Sequence, residues 1–101
     1  MMQTKKFIVK RINRAAGLVR DYITTVDAGD AHLLRSYYWI VLLDVDGHVY
    51  VARNKGRSQE FLHQIIAGAK PGEKVMHING DCLDNRKENL LKTSERVLEI
   101  E

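Results

Sequence analysis

The stretch over residues 75–90 constrains the fold of this chain more than any other part of the sequence. It reads VMHINGDCLDNRKENL and joins a short apolar run, a turn that carries Asn79-Gly80, and a segment that begins at Asp84. A short apolar run before an Asn-Gly pair is typical of a strand and a tight turn, and aspartate favours the first position of a helix. The stretch therefore predicts a strand that ends at His77, a loop, and a helix that starts at Asp84.

The polar residues of this stretch also indicate a chemistry. Histidine is the side chain best suited to accept a proton near neutral pH, and His77 is followed by asparagines on the loop and the predicted helix. This is the layout of a general base that faces a phosphate beside a bound metal ion. Whether the chain also carries the metal ligands decides which function this stretch can have.

Strands are predicted wherever β-branched and aromatic residues cluster. The predicted strands cover residues 5–12, 18–26, 39–43, 48–53, 74–77 and 97–101. The first two should form a hairpin near Gly17, and Asp46-Gly47 is a strong signal for a second hairpin. Asp44 and Asp46 at this second turn are interpreted as turn residues rather than calcium ligands, because the rest of a calcium loop is missing.

Two short helices are predicted before the opening stretch. One runs from Ala31 to about Tyr37, and the other covers residues 59–68, with Ser58 as its cap and Gly68 at its end. The aromatic run 37–39 precedes a buried strand and is interpreted as core packing, with a base-stacking platform as the alternative.

Length and composition limit the alternatives. The 101 residues suit one domain, divided into N-terminal strands and a short helix (1–58), a helix with the strand-loop-helix motif (59–92), and a tail or edge strand (93–101). The sequence has no membrane-length apolar run and no signal-peptide pattern, so a cytoplasmic protein is expected. The net charge of +3 permits contact with a polyanion without requiring it. The expected fold class is α+β: a small antiparallel sheet or hairpins, short helices, and a C-terminal strand-loop-helix unit.

Four segments in the second half of the chain share their order and spacing with a known family. They are residues 61–68 (FLHQIIAG), Pro71-Gly72, residues 77–81 (HINGD) and residues 83–90 (LDNRKENL). In these segments the chain resembles the HNH endonucleases, in the small phage and homing-type branch of the ββα-metal, or His-Me finger, nucleases. The resemblance implies a C-terminal ββα unit and a phage-encoded protein.

The resemblance also implies roles for two residues. His77 matches the general base that activates water against a scissile phosphate. Asn89 matches the asparagine that braces the loop and orients the histidine.

The metal positions of the family are not matched. The family binds a divalent cation through an Asp immediately before the histidine and an Asn or His at a later helical position. Here these positions hold Met76 and either Arg96 or Leu98, none of which is a good ligand for magnesium. Asp81 and Asp84 are the possible substitutes.

We therefore expect an HNH-derived domain whose nuclease site has decayed and which binds DNA or a host protein, for example as an inhibitor of a host defence complex. The alternative is an active nuclease or nickase that needs Mg²⁺ or Mn²⁺; otherwise no cofactor is expected. A homodimer through the edge at residues 97–100 is plausible. The residues expected to form a basic rim that contacts DNA are Lys55, Arg57, Lys70, Lys74, Arg86, Lys87 and Lys92.

Overall fold

The computed structural model describes residues 3–94, which form strands interrupted by short helices. The strands are β1 (Thr4–Asn13), β2 (Leu18–Asp27), β3 (Ile40–Leu43), β4 (Val49–Lys55), β5 (Ser58–Phe61), β6 (Glu73–His77) and β7 (Leu90–Ser94). The α-helices are α1 (Ala31–Ser36) and α2 (Leu62–Ala67), and single 3-10 turns cover Ala28–Asp30 and Lys87–Asn89. Neither α-helix is long and apolar enough to cross a membrane, as far as residues 3–94 are concerned. The expected α+β class is confirmed.

Five strands form one mixed sheet in the order β2-β1-β3-β4-β5, and β6 and β7 form a separate antiparallel pair. The long β1–β2 hairpin, the β3–β4 hairpin and the β4–β5 pair are antiparallel. β3 instead lies parallel to β1, with Lys10 opposite Ile40, because the 3-10 turn and α1 carry the chain back before β3 begins. The sheet is therefore mixed, whereas the sequence predicted antiparallel pairing.

The hydrophobic core lies between the sheet and α2. Alternation along each strand places one set of side chains on the inner face. The buried members of this core are Val9, Val26, Trp39, Val41, Val51, Leu62 and Ile66. Trp39 is buried with its indole satisfied, since Nε1 donates to the carbonyl of Leu33 at 2.8 Å. The core thus uses only one of the three aromatic residues at 37–39, and the predicted packing of Tyr37 and Tyr38 is wrong because both are exposed.

The helix predicted at 59–68 is shorter than expected, with six residues rather than ten. Residues 58–61 form β5 and pair with β4, with Gln59 opposite Asn54, so the helix begins only at Leu62. Ser58 does not cap it; its hydroxyl donates to the carbonyl of Lys55 at 2.9 Å, within the turn between β4 and β5. The end of the helix is as predicted, since Gly68 adopts φ 67°, a left-handed conformation that glycine accepts without strain.

The predicted helix that starts at Asp84 is wrong, and its backbone hydrogen bonds explain why. The amide of Thr25 donates to the carbonyl of Leu83 at 2.9 Å, and the amide of Asn85 donates to the carbonyl of Thr25 at 2.8 Å. Residues 83–85 therefore lie extended against β2, where they cannot form i to i−4 helical bonds. A 3-10 turn and β7 follow.

The C-terminal ββα unit that the resemblance implies is not formed within residues 3–94. The β6–β7 pair is present, but no α-helix follows α2 within residues 68–94. Leu90 and Leu91, which would continue the helix predicted from Asp84, instead begin β7. The predicted edge strand at 97–101, with its proposed dimer contact, and the residues Arg96 and Leu98 lie outside the described residues.

Candidate functional site

His77 is the last residue of β6 and lies opposite Leu90, the first residue of β7. The turn at Asn79-Gly80 and the loop over residues 81–89 connect the two strands. Residues 83–85 of this loop are hydrogen-bonded to β2. The half-buried imidazole of His77 is therefore held where the small β6–β7 sheet meets the five-stranded sheet.

A chain of side-chain hydrogen bonds fixes the orientation of His77. Nε2 of His77 lies 2.8 Å from Oδ1 of Asn85, and Nδ2 of Asn85 donates to Oγ1 of Thr24 at 2.9 Å. The hydroxyl of Thr24 in turn donates to the carbonyl of Leu83 at 2.7 Å. Asn85 and Thr24 are both fully buried, at 1% and 0% exposed.

This chain also determines which nitrogen of His77 carries the proton. The single hydroxyl hydrogen of Thr24 is donated to Leu83, so Oγ1 can only accept from Asn85. The amide nitrogen of Asn85 must then face Thr24, and its oxygen must face His77. Nε2 of His77 therefore donates, and in the neutral imidazole Nδ1 keeps the lone pair that can accept a proton.

The side chain of Asn89 makes three hydrogen bonds within the loop. Its Oδ1 accepts from the amide of Asn79 at 3.0 Å, and its Nδ2 donates to Oδ1 of Asn79 and to the carbonyl of Asp84, each at 2.9 Å. The contact to His77, however, comes from Asn85. The role of Asn85 has no local signal in the sequence, because its partner Thr24 lies 61 positions away in the chain.

Asp84 is already fully engaged with its neighbours. Oδ1 accepts from Nε of Arg86 at 2.7 Å, while Oδ2 accepts from Nη2 of Arg86 at 2.8 Å and from Nδ2 of Asn79 at 2.9 Å. The hydrogen bonds from Arg86 lower the pKa of Asp84, and those with Asp84 raise the pKa of Arg86. This carboxylate would have to break a bidentate ion pair before it could bind a metal ion.

The other expected metal positions do not gather around His77 either. Asp81 is exposed and uses Oδ1 to accept from the amide of Leu83 at 3.0 Å. Strand alternation directs Met76, which is 56% exposed, to the opposite face of β6 from His77.

One group of possible metal ligands does occur elsewhere in residues 3–94. Asp44, Asp46 and His48 lie close enough together to share a cation. Oδ1 of Asp44 accepts from the amides of Asp46 and His48, each at 2.9 Å, and Oδ2 lies 3.2 Å from Nδ1 of His48. These bonds close the β3–β4 turn, as the sequence interpretation expected, and they account for the arrangement.

A second histidine packs against His77. The centre of the His63 ring, on α2, lies 4.9 Å from the centre of the His77 ring. The His63 ring also contacts the rings of Tyr50 and Phe61. His63 is only 7% exposed, and burial together with the nearby His77 lowers its pKa from 6.5 to about 4. His63 is therefore neutral at physiological pH, and it lines an open cavity of about 370 Å³ together with Tyr50 and Phe61.

The basic residues predicted to form a rim differ in their availability. Arg86 is bound to Asp84 and Glu88, Lys87 lies 3.3 Å from Asp30, and Lys55 lies 3.4 Å from Glu60. Lys74 also has a partner. Among residues 3–94, no ion pair involves the remaining three, which are Arg57, Lys70 and Lys92. All three are exposed.

Comparisons with known families and solved structures identify no relative of this chain, so its geometry alone indicates what the site can do. No protein-family model matches the chain, and no solved structure matches it.

Proposed function

We propose that this protein is an HNH-derived domain that binds DNA through the surface around His77 and does not cleave it by the metal-dependent route. The proposal rests on one contrast near His77. Hydrogen bonds fix the orientation of the imidazole, whereas the nearby carboxylates already accept hydrogen bonds from other groups of the protein. The histidine has a defined tautomer, whereas Asp84 is tied to Arg86.

The arrangement of the loop supports the HNH part of the proposal. A histidine ends the first strand of an antiparallel pair, and an asparagine immediately before the second strand braces the loop between them. The Asn89 side chain accepts one hydrogen bond and donates two within this loop, a geometry consistent with the role that the resemblance assigns to it.

The side chains near His77 support the loss of metal-dependent cleavage. Magnesium and manganese prefer hard oxygen ligands, and a metal ion in a phosphodiesterase contributes several kcal/mol by neutralising the charge that develops on phosphate. Met76 offers only a thioether on the other face of β6, and Asp84 would have to give up Arg86. A histidine without the metal retains little of that rate enhancement.

The exposed cations support DNA as the partner. In the β6–β7 register, Lys92 lies opposite Val75 and Leu90 lies opposite His77, so Lys92 projects from the same face of this small sheet as His77. Lys70 lies in the turn that leads into β6. Cations without an ion pair are the ones that can neutralise phosphates and release counterions.

The test is the salt dependence of binding to a labelled DNA duplex, measured by fluorescence anisotropy. We expect the wild type to bind with a slope of log K against log salt of about −3, the value for roughly three phosphate contacts at ~0.9 each. The double substitution Lys70→Gln and Lys92→Gln should make the slope shallower by about 2.

A charge-matched control separates local contacts from general charge. Lys6→Gln with Arg20→Gln removes two exposed charges from the β1–β2 hairpin, neither of which is in an ion pair within residues 3–94, and it should leave the slope almost unchanged. A flat slope for the wild type, or equal losses in the two double variants, would exclude this surface as the DNA contact.

The second candidate function is an active, metal-dependent nuclease, and the tautomer of His77 favours it. Because Nε2 donates to Asn85, Nδ1 remains free to take a proton from an attacking water. This candidate requires a metal ion to be held by groups other than those that now surround His77, and cleavage assays with added metal distinguish it from the first.

A further inference from the structure

The aromatic run at 37–39 connects α1 to β3 and contributes one ring, that of Trp39, to the core. Trp39 is 7% exposed, but Tyr37 is 49% exposed and Tyr38 is 74% exposed. Large exposed aromatic rings that lie side by side are a feature of binding surfaces, because their burial against a ligand is favourable.

Arg53, on β4, adds a positive charge to this exposed region. Its guanidinium carbon lies 3.8 Å from the centre of the Tyr37 ring and 5.7 Å from that of Trp39. Nη2 lies 3.4 Å from Oε1 of Glu60, while Nε is buried and has no hydrogen-bond partner among residues 3–94. The guanidinium is thus held between the Tyr37 ring and the Glu60 carboxylate.

An open cavity of about 410 Å³ lies at this position and forms what we call the aromatic cleft. Its lining residues are Tyr37, Tyr38, Ile40, Arg53, Asn54 and Lys55. A second open cavity of about 390 Å³ shares Tyr38, Ile40 and Asn54 with it, so the two adjoin, and the second adds Arg11 and Arg14. Tyr38 therefore stands where the two meet.

The charge around the aromatic cleft is strongly positive. Arg11, Arg14, Arg53 and Lys55 line the two cavities. Glu60 offsets Arg53 and Lys55, and within residues 3–94 no ion pair involves Arg11 or Arg14. An exposed aromatic ring beside unpaired cations is complementary to a base that is attached to a charged backbone.

We propose that the aromatic cleft binds unpaired nucleotides of a single-stranded nucleic acid. A base stacks on Tyr38 beside the Tyr37–Arg53 pair, and the flanking phosphates contact Arg11 and Arg14. A duplex does not offer this contact, because its bases are stacked on one another and paired. The proposal is independent of the function proposed for His77, since none of these residues belongs to its hydrogen-bonded network.

The experiment measures anisotropy of fluorescein-labelled single strands, with an oligodeoxythymidine arm and an oligouridine arm of equal length. Tyr38→Ala should weaken binding about five- to tenfold, the effect of losing one stacked base, whereas Tyr38→Phe keeps the ring and should bind within about twofold of wild type. Arg11→Gln with Arg14→Gln should make the salt slope shallower by about 1.4, at ~0.7 for each phosphate contact on a single strand. Val45→Ala, at a fully exposed turn position outside the cleft, is the control and should not change binding.

Binding of either strand with this pattern of variants supports the cleft, and the two arms show whether it prefers DNA or RNA. Binding of neither strand at low salt would overturn the proposal, as would a Tyr38→Ala variant that binds like wild type or a Tyr38→Phe variant that binds as weakly as Tyr38→Ala. Duplex binding by the same proteins tests the surface around His77 separately. If Lys70→Gln with Lys92→Gln weakens duplex binding while Tyr38→Ala leaves single-strand binding unchanged, the surface around His77 is supported and the aromatic cleft is not. The reverse result supports the aromatic cleft alone.

Discussion

Replacing Asn85 by alanine should lower the free energy of unfolding by about 3 kcal/mol. The side chain is 1% exposed and links His77 to Thr24 through bonds of 2.8 and 2.9 Å. Its removal leaves a cavity and deprives two buried or half-buried polar groups of their partner. The measurement is urea denaturation of the wild type and the variant at neutral pH, followed by any spectroscopic probe of folding.

The matched control is Asn54→Ala. Asn54 is exposed, and its side-chain oxygen accepts a single long hydrogen bond of 3.4 Å from Gln59, so the free energy of unfolding should change by less than about 0.5 kcal/mol. A second readout is the nitrogen-15 spectrum of the imidazole, in which neutral His77 should carry its proton on Nε2 in the wild type. Equal stabilities for the two variants, or protonation on Nδ1 in the wild type, would contradict the hydrogen-bond chain described here.

Acidification should destabilise the protein between about pH 6.5 and pH 4 because of His63. Its pKa is lowered from 6.5 to about 4 in the folded state, first by burial and second by the proximity of His77. The unfolded chain therefore takes up a proton in this window while the folded protein does not, so the free energy of unfolding falls as the pH falls. The loss amounts to about 3.5 kcal/mol at most, at ~1.4 kcal/mol for each pH unit.

His63→Phe isolates this effect. Phenylalanine preserves an aromatic ring against Tyr50 and Phe61 but cannot bind a proton, so the unfolding free energy of the variant should be nearly flat over the same pH range. The carboxylate of Asp84 does not interfere, because its pKa lies below 3.8 in the folded state and its contribution is lost only at lower pH. If the wild type and the variant lost stability in parallel from pH 6.5 to 4, His63 would not be the group responsible.

Strands and turns were predictable from local sequence, because they depend on neighbouring residues. The β-branched runs, the Asp46-Gly47 turn and the left-handed Gly68 each carry their own signal. The parallel contact between β1 and β3 carries none, since it depends on how the 3-10 turn and α1 redirect the chain.

Asp84 shows why the loop was mispredicted. Aspartate before a polar stretch favours a helix cap, but here its carboxylate binds Arg86 and Asn79, and the backbone on both sides of it pairs with Thr25. Long-range pairing with β2 thus replaces local helical bonds. The strand that ends at His77 was predictable from the apolar run before Asn79-Gly80, whereas the contact from Asn85 required the fold.

These contacts describe a loop that holds the neutral form of His77 in a defined tautomer without gathering metal ligands around it. The most direct measurement is cleavage of supercoiled plasmid with added Mg²⁺ or Mn²⁺ by the wild type and by His77→Ala. We expect no metal-dependent nicking by either protein, while the wild type still binds duplex DNA with a marked salt dependence. Metal-dependent nicking by the wild type that disappears in His77→Ala would contradict this account and establish the protein as a working nuclease.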